Sequence, residues 1–487
     1  MVSTIPHNAA AQPASRRLES DERMNFLKHF EGQRIVEACV AGAGDFGTGV
    51  IRQALNMKAL SARIAIDVDT SSARRALERA GVGSAHIAEC DDPATARTAW
   101  DRGCFIAAGE LSTVLELPFD VLVEATGIPE VGAQHSYAAL CAGKHVGIAT
   151  KETESVVGPY LTHLAIDEGL IFTPLDGDQP SLLIGLVSWA RTLGFEIVVA
   201  GKSSEYDFVW NPEREELVCN REAHSIPELA SAWALPADSV APTIAARAEA
   251  TRMIPPISVP DLCEMANVAN ATGLLPDRPE FHATVLRIPE VPTVLDVAEH
   301  GGVLRGSGRV EVFNCLRTAD EVSFAGGVFV VLRCEDEATW DLLRDKGHVI
   351  SRSGASAMVY LPRHLLGLEA PISLLDAVLN GLPSGGGEMT QPRIDLVARA
   401  TRDLPAGHRF EMTGHHRIID GLRPETHPAG PLVGEAAAPF YLLPEARLKR
   451  AVAAGETIPF AALEEVPDSM LLRLRRRQDQ RFFSEVS

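Results

Sequence analysis

The chain has 487 residues, 46% hydrophobic and 23% charged, which suits an ordinary globular protein of about two to four domains. Its 45 basic and 65 acidic side chains leave a formal charge of −20, a field that disfavours general binding to nucleic acid or to an anionic membrane. Eight cysteines without C-x-x-C spacing argue for buried thiols in a reducing cytoplasm rather than disulfides or zinc ligands.

Residues 1–30 lack the apolar core of a secretory signal and are expected to form a mobile tail. Ile35 to Ala41 is then an apolar run suited to a buried strand. Gly42-Ala43-Gly44-Asp45-Phe46-Gly47 follows as a GxGxxG turn, and Thr48 to Leu60 reads as a helix. A strand, a glycine turn and a helix in that order let the backbone approach a pyrophosphate at the helix N-terminus. Gly42, Gly44, Asp45, Phe46 and Gly47 are therefore predicted to bind a dinucleotide. Asp67 ends the next apolar segment, where a carboxylate would accept the adenosine ribose hydroxyls and repel a 2′-phosphate. Ser71, Ser72, Arg74 and Arg75 follow and would suit that phosphate, so NAD versus NADP stays open. The alternative for Asp67 and Asp69 is to cap the next helix.

Pro118 to Gly127 reads as another buried parallel strand, followed by a helix from Val131 to Ala142 and a short strand from His145 to Ala149. This alternation belongs to a doubly wound sheet, and it places Thr126 and Gly127 at the carboxyl edge beside the cofactor. Lys151 lies just past the short strand, where an ammonium would polarise a substrate carbonyl. A surface pairing with Glu152 or Glu154 is the alternative.

Gly158 to Glu168 reads as a helix and Leu170 to Leu175 as a strand. A polar turn over 176–180 follows, with Ser181 expected to cap a helix from Leu182 to Leu193. Lys202 comes just past a strand from Glu196 to Ala200 and is a second candidate to meet a developing alkoxide. Asp178 would position Lys202 or accept a substrate hydroxyl, unless it only caps its helix. Glu264, Asn267 and Asn270 share one helix face, which either lines a site or meets solvent. Runs at His282–Ile288, Val310–Leu316 and Val328–Arg333 carry β-branched residues and suggest a second sheet. Arg363 and His364 suit an anion and a proton, although a histidine bonded to a backbone carbonyl needs no such role. Glycines 385–387 mark a boundary, and repeated Ala-Gly turns at Ala406-Gly407 and Ala454-Gly455 suggest a small β-rich module. The basic run Arg473 to Arg477 reads as a solvated helix face or tail.

Several short stretches recur in a fixed order: Gly42–Gly47, Ala125–Ala133, Gly158–Leu161, Gly177-Asp178, Ala200–Lys202, Asn270–Leu274, Gly327–Val330 and His364-Leu365. Together they resemble the homoserine dehydrogenase-like oxidoreductases with a C-terminal SAF domain, most closely the 1-deoxy-D-xylulose 5-phosphate reductoisomerase-like branch. The resemblance implies an α/β fold in three parts. A Rossmann-type doubly wound parallel sheet would bind NAD(P) over 31–175, and a central α+β substrate and dimerisation domain would span 176–380. A small C-terminal β-rich SAF-like module would occupy 390–470, with a basic tail over 471–487. It also implies that Lys202, Asp178 and the Asn270–Thr272 segment face the substrate. A reductoisomerase would shift a carbon–carbon bond in a phosphorylated ketose and reduce the resulting aldehyde with NADPH. Thr150-Lys151-Glu152 stands where that branch has Asn-Val-Glu, Arg363 stands where it has Tyr, and Asp67 suits NAD. The lysine at 151 is similar to homoserine dehydrogenase itself.

The expected protein is a cytoplasmic, homodimeric NAD(P)-dependent oxidoreductase of a small anionic polyhydroxy or keto substrate. Lys202, Lys151, Asp178 and His364 would be catalytic, while Asn270, Thr272 and Arg363 would hold the substrate. Asp176, Asp178 and Glu264 are candidate ligands for a divalent metal. A simple dehydrogenase of a sugar acid or amino alcohol and a non-catalytic cofactor-binding regulator are the alternatives.

Overall fold

The computed structural model describes residues 30, 33–237, 240–414, 417–464 and 466–484. The tail expected over 1–30 lies, apart from Phe30, outside them. Seven parallel strands form the first sheet: β1 (Val36–Ala41), β2 (Leu60–Ile66), β3 (Ile87–Cys90), β4 (Phe105–Ala108), β5 (Val121–Glu124), β6 (His145–Ile148) and β7 (Phe172–Pro174). Their order is β3-β4-β2-β1-β5-β6-β7. Strand β1 is buried on both faces, with Cys39 and Ala41 entering one apolar layer and Val36, Ala38 and Val40 the other. Parallel strands covered by helices on both sides require that composition. The direction of winding reverses between β1 and β5, so a crevice opens at their carboxyl ends.

Helix α1 (Asp45–Asn56) leaves the β1 turn, α2 (Pro129–Cys141) joins β5 to β6, and α3 (Lys151–Asp167) joins β6 to β7. The expected helix starting at Gly158 is the second half of α3, because Pro159 lies inside it and does not end it.

The second sheet is mixed and contains β8 (Ile197–Ser203), β9 (Phe208–Asn211), β10 (Glu216–Cys219), β11 (Glu222–Ser225), β12 (Leu275–Pro276), β13 (Thr284–Leu286), β14 (Arg309–Arg317), β15 (Val328–Arg333), β16 (Val349–Ile350) and β17 (Ser356–Leu361). Its path is β11-β10-β9-β14-β8-β15-β17-β16, with β12 and β13 both pairing β14. Helices α4 (Gln179–Thr192) and α6 (Val259–Thr272) pack against it, and α5 (Val240–Ala250) lies beside β13. Buried Arg247 of α5 pairs with Glu290 and donates to the carbonyls of Ala232, Trp233 and Val285, so no buried charge is left alone there.

The third part pairs β18 (Ile394–Ala400) with β21 (Leu422–Pro428) and adds a small hairpin, β19 (Met412–Thr413) and β20 (Ile418–Ile419). The segment expected over 471–487 as a basic tail lies largely in a helix, α7 (Met470–Phe483). The run Arg473 to Arg477 thus takes the helix alternative, with Arg473, Arg476 and Arg477 exposed but Arg475 buried. Leu471, Leu472 and Leu474 are buried against the rest, which an isolated tail could not achieve. Arg475, fully buried, forks onto Asp395 of β18, and the N–H groups of Met470 and Leu471 donate to Glu130 of α2.

Candidate active site at the end of the parallel sheet

Each glycine of the β1 turn has its own steric reason. Gly42 has φ +106, and a Cβ there would lie 2.3 Å from the Ala125 oxygen. A Cβ on Gly47 would lie 2.1 Å from the Gly42 oxygen, so only glycine lets α1 pack this close. Gly44 faces open space, and as N-cap of α1 it has no side chain to cover the first N–H groups. That is the arrangement a diphosphate needs: two glycines to make the turn and one bare approach to a helix N-terminus.

A cavity of about 650 Å³ runs from Gly42, Ala43 and Gly44 past Asp67 and Val68 to Thr126 and His135. Asp67 accepts from Ala43 N at 3.1 Å and from Asp69 N at 3.2 Å, and lines this cavity. The helix after β2 is capped by Asp69, which accepts from Ser71 N, so Asp67 is left to face the cavity. Arg74 is engaged with Glu78 and Glu89, and Arg75 with Asp69 and Ser72. Asp45 points to solvent, 96% exposed, while Phe46 lines the neighbouring cavity.

That second cavity, about 420 Å³, begins where the first ends, beyond Ala125. Gly127, Lys151, Glu152, Asp178, Lys202, Asp261, Glu264, His364 and Arg417 are among its walls. Lys151 opens α3, and Lys202 sits within β8 rather than after it, because that strand continues to Ser203. Both ammonium groups bond to Glu264, one to each carboxylate oxygen. Lys202, 1% exposed, also lies 2.9 Å from Asp261, and Lys151 lies 3.8 Å from Asp178. Asp261 is fixed by a capping box with Ser258 and accepts from Ser204. Asp178 is the N-cap of α4, accepting from Gln179 N, whereas Ser181, the expected cap, bonds to Asp176.

Burial opposes the charge of Lys151, yet Asp178, Glu264 and Glu152 together hold its pKa well above the ordinary value. Burial opposes Lys202 likewise, and Asp261 and Glu264 raise its pKa on balance. Both lysines are thus ammonium ions at neutral pH. Burial raises the pKa of Glu152, with Lys151 and Arg417 pulling the other way. At the end of β5, burial pushes Glu124 up to about 7 despite donation by Thr126, and pushes nearby His135 down to about 4.

The polar stripe of α6 is buried throughout, so it does not meet solvent. Only Glu264 reaches the cavity. Asn267 donates to Lys151 O and Glu154, anchoring the start of α3. Asn270 donates to Ile394 O and accepts from Arg393 N and Ile394 N, and Thr272 bonds to Val268 O. These two hold the third part of the molecule and their own helix. His364 lines the cavity with Nδ1 2.8 Å from Gly326 O, while Arg363 is exposed and outside its wall. Among the described residues no three His, Cys, Asp or Glu side chains are arranged to hold a metal ion. Glu264 faces the lysines, and Asp176 is held by Ser181 and Ser373.

Sequence reasoning missed Arg417, Asp261 and Gln179. Asp261 was legible in principle, since Ser258-x-x-Asp261 before an apolar run is a capping-box pattern.

No curated protein matches the chain. Among solved structures, DOX-P reductoisomerase in complex with magnesium is 15% identical with a TM-score of 0.27, covering 35% of this chain and 46% of that one. A 3-ketoreductase from Actinomadura kijaniata is 16% identical, with a TM-score of 0.25 and coverage of 37% and 50%. UDP-N-acetylglucosamine 3-dehydrogenase from Acidithiobacillus ferrooxidans is 12% identical, with a TM-score of 0.26 and coverage of 37% and 50%. The chain thus spans about half the length of each of these three structures. Residues 177–370, the stretch from the turn before α4 to the segment after His364, match the family described as "Oxidoreductase DRL, catalytic domain".

Proposed function

We propose that this chain is an NAD(P)-dependent oxidoreductase of a small polyhydroxy or keto substrate carrying an anionic group. The observation that carries the reading is the joining of Lys151 and Lys202 through one buried carboxylate, at the carboxyl edge of a sheet whose first turn suits a diphosphate. Gly42, Gly44 and Gly47 would hold the coenzyme's diphosphate, and Asp67 its adenosine ribose, with a preference for NAD because a 2′-phosphate would meet that carboxylate. A bound nicotinamide supplies the hydride.

In the reductive direction the substrate carbonyl oxygen gains negative charge as its carbon receives the hydride. The ammonium groups of Lys202 and Lys151 are already oriented by Glu264, so they stabilise that charge without reorganising. Lys151, the more exposed of the two, donates the proton and regains one by way of Asp178. The finer form of this reading is a reductoisomerase, in which a carbon–carbon shift precedes reduction, and product identification by NMR separates it from simple dehydrogenation. Calorimetric titration with NADH and NADPH is the first test, followed by turnover on sugar acids, polyols and sugar phosphates. Binding of NADH in preference to NADPH is expected, and no heat with either coenzyme overturns the reading.

A further inference from the structure

We propose that Arg417, carried into the crevice by the C-terminal module, receives the anionic group of the substrate, a carboxylate or a phosphate. This deepens the oxidoreductase reading by naming one of its subsites. Arg417 lies at the tip of the β19–β20 hairpin, where its N–H donates to Gly414 O at 3.3 Å. Its φ is +54, a left-handed conformation that few non-glycine residues adopt. Such a backbone at the tip of a hairpin that reaches another part of the fold points to function.

The side chain crosses to the Rossmann part, where Nη2 donates to Gly127 O and Nε lies 3.9 Å from Glu152. Gly127 follows Thr126, a wall of the coenzyme cavity, so the guanidinium stands where the two cavities meet. A Cβ on Gly127 would lie 3.0 Å from Nη2, so the glycine leaves room for the arginine.

Among the described residues of the cavity, Arg417 is the cation least neutralised. Lys151 and Lys202 share Glu264 and have Asp178 and Asp261 besides. Arg417 has one carboxylate, Glu152, at the limit of ion-pair distance, and its Nη1 has no hydrogen-bond acceptor among the described residues. The same cavity is also lined by Gln179, 5% exposed, whose Nε2 has no partner among the described residues. A planar fork with a free arm and a buried, unspent amide donor suit an oxyanion rather than a hydroxyl. Arg363, the arginine that the sequence favoured for this task, does not reach the cavity.

The test uses the full chain, with oxalate and inorganic phosphate as separate probes followed by calorimetry, and NADH titrated independently. Wild type is expected to bind one of the two, which identifies carboxylate or phosphate as the preferred group. Arg417→Gln is expected to weaken that binding by about tenfold to a hundredfold with NADH affinity unchanged. Arg402→Gln, which removes an exposed partner of Asp420 in the same module, is expected to bind both as wild type does. Phenylglyoxal labelling of Arg417 in the wild type, read by mass spectrometry, should slow several-fold when the bound anion is present, and this measurement does not depend on any variant folding. The proposal is overturned if neither anion binds, if Arg417→Gln binds as wild type, if labelling is indifferent to the anion, or if NADH affinity falls in step. Loss of NADH binding in the wild type would instead sink the oxidoreductase reading and leave the anion result standing.

Discussion

Lys202 is a strand residue with its ammonium buried among carboxylates, and removing it tests the chemistry more directly than any other single change. Lys202→Met should lower turnover by about 10²–10⁴-fold while NADH affinity stays as it is, because Gly42, Gly44 and Asp67, the residues proposed to hold the coenzyme, line the other cavity. Equal turnover in that variant would remove the lysine from the reaction. Glu124 gives a pH-dependent counterpart. Its folded pKa of about 7 lies above the ordinary 4.5, so between those values the fold holds a proton that the unfolded chain has lost. The contribution of Glu124 to stability should therefore fall as pH rises from about 4.5 to about 7, by about 3 kcal/mol. Neighbouring His135, pushed down to about 4, works in the opposite sense, so the difference between wild type and a Glu124 variant is what isolates it. In Glu124→Gln that contribution to the melting temperature should vanish. The glycine turn, Asp67 and Lys151 were legible because each follows a strand whose apolar run is plain in the sequence, and Lys202 because it lies near the end of one. Arg417 was not, since nothing local says that the tip of a distant hairpin comes back to the first sheet.

Two helices illustrate how elements set the site. Helix α6 places Glu264, Asn267 and Asn270 on one face, and the spacing made that face visible from sequence. What spacing could not give was the identity of the neighbours, which turn one stripe into three anchors: the lysine pair, the start of α3, and β18. Helix α3 carries Pro159, which supplies no N–H to the turn before it. Gln478 of α7 lies across that interruption, accepting from Tyr160 N at 3.1 Å and donating to Val156 O at 3.1 Å. A regular helix would join those two groups directly. Gln478→Ala should leave them without the inserted amide and cost about 1–3 kcal/mol, read as a lower denaturant midpoint at unchanged slope. The periodic segments β1, α1, β5, β6, β14 and β15 were all evident from pattern. Strands β3 and β4 escaped notice because they are short and carry Ala, Glu and Cys rather than a β-branched run.

At the scale of the whole molecule, the cavity takes Lys151 from the end of the parallel sheet, Lys202 and Glu264 from the central part, and Arg417 from the last module. The parts are fastened together by α7, where fully buried Arg475 forks onto Asp395 and also pairs with Asp479. Breaking a buried pair leaves a carboxylate without its partner. Arg475→Met should cost about 3–5 kcal/mol and make the segment after residue 390 the first to be cut in limited proteolysis. An unchanged digestion pattern would show that the module is held by its apolar face alone. The succession of a parallel sheet, a second sheet and small β elements was readable from changes of period, whereas the docking role of the basic C-terminal run was hidden, because charge suggested solvent and only its leucines spoke for burial.

The order in which the pieces emerge from a ribosome gives α7 a further meaning. The two lysines and the arginine are made early, in the middle and late, and the helix that clasps the first stretch to the last is synthesised after all of them. The clasp between the first and last parts therefore cannot form until residues 470–483 are free to dock.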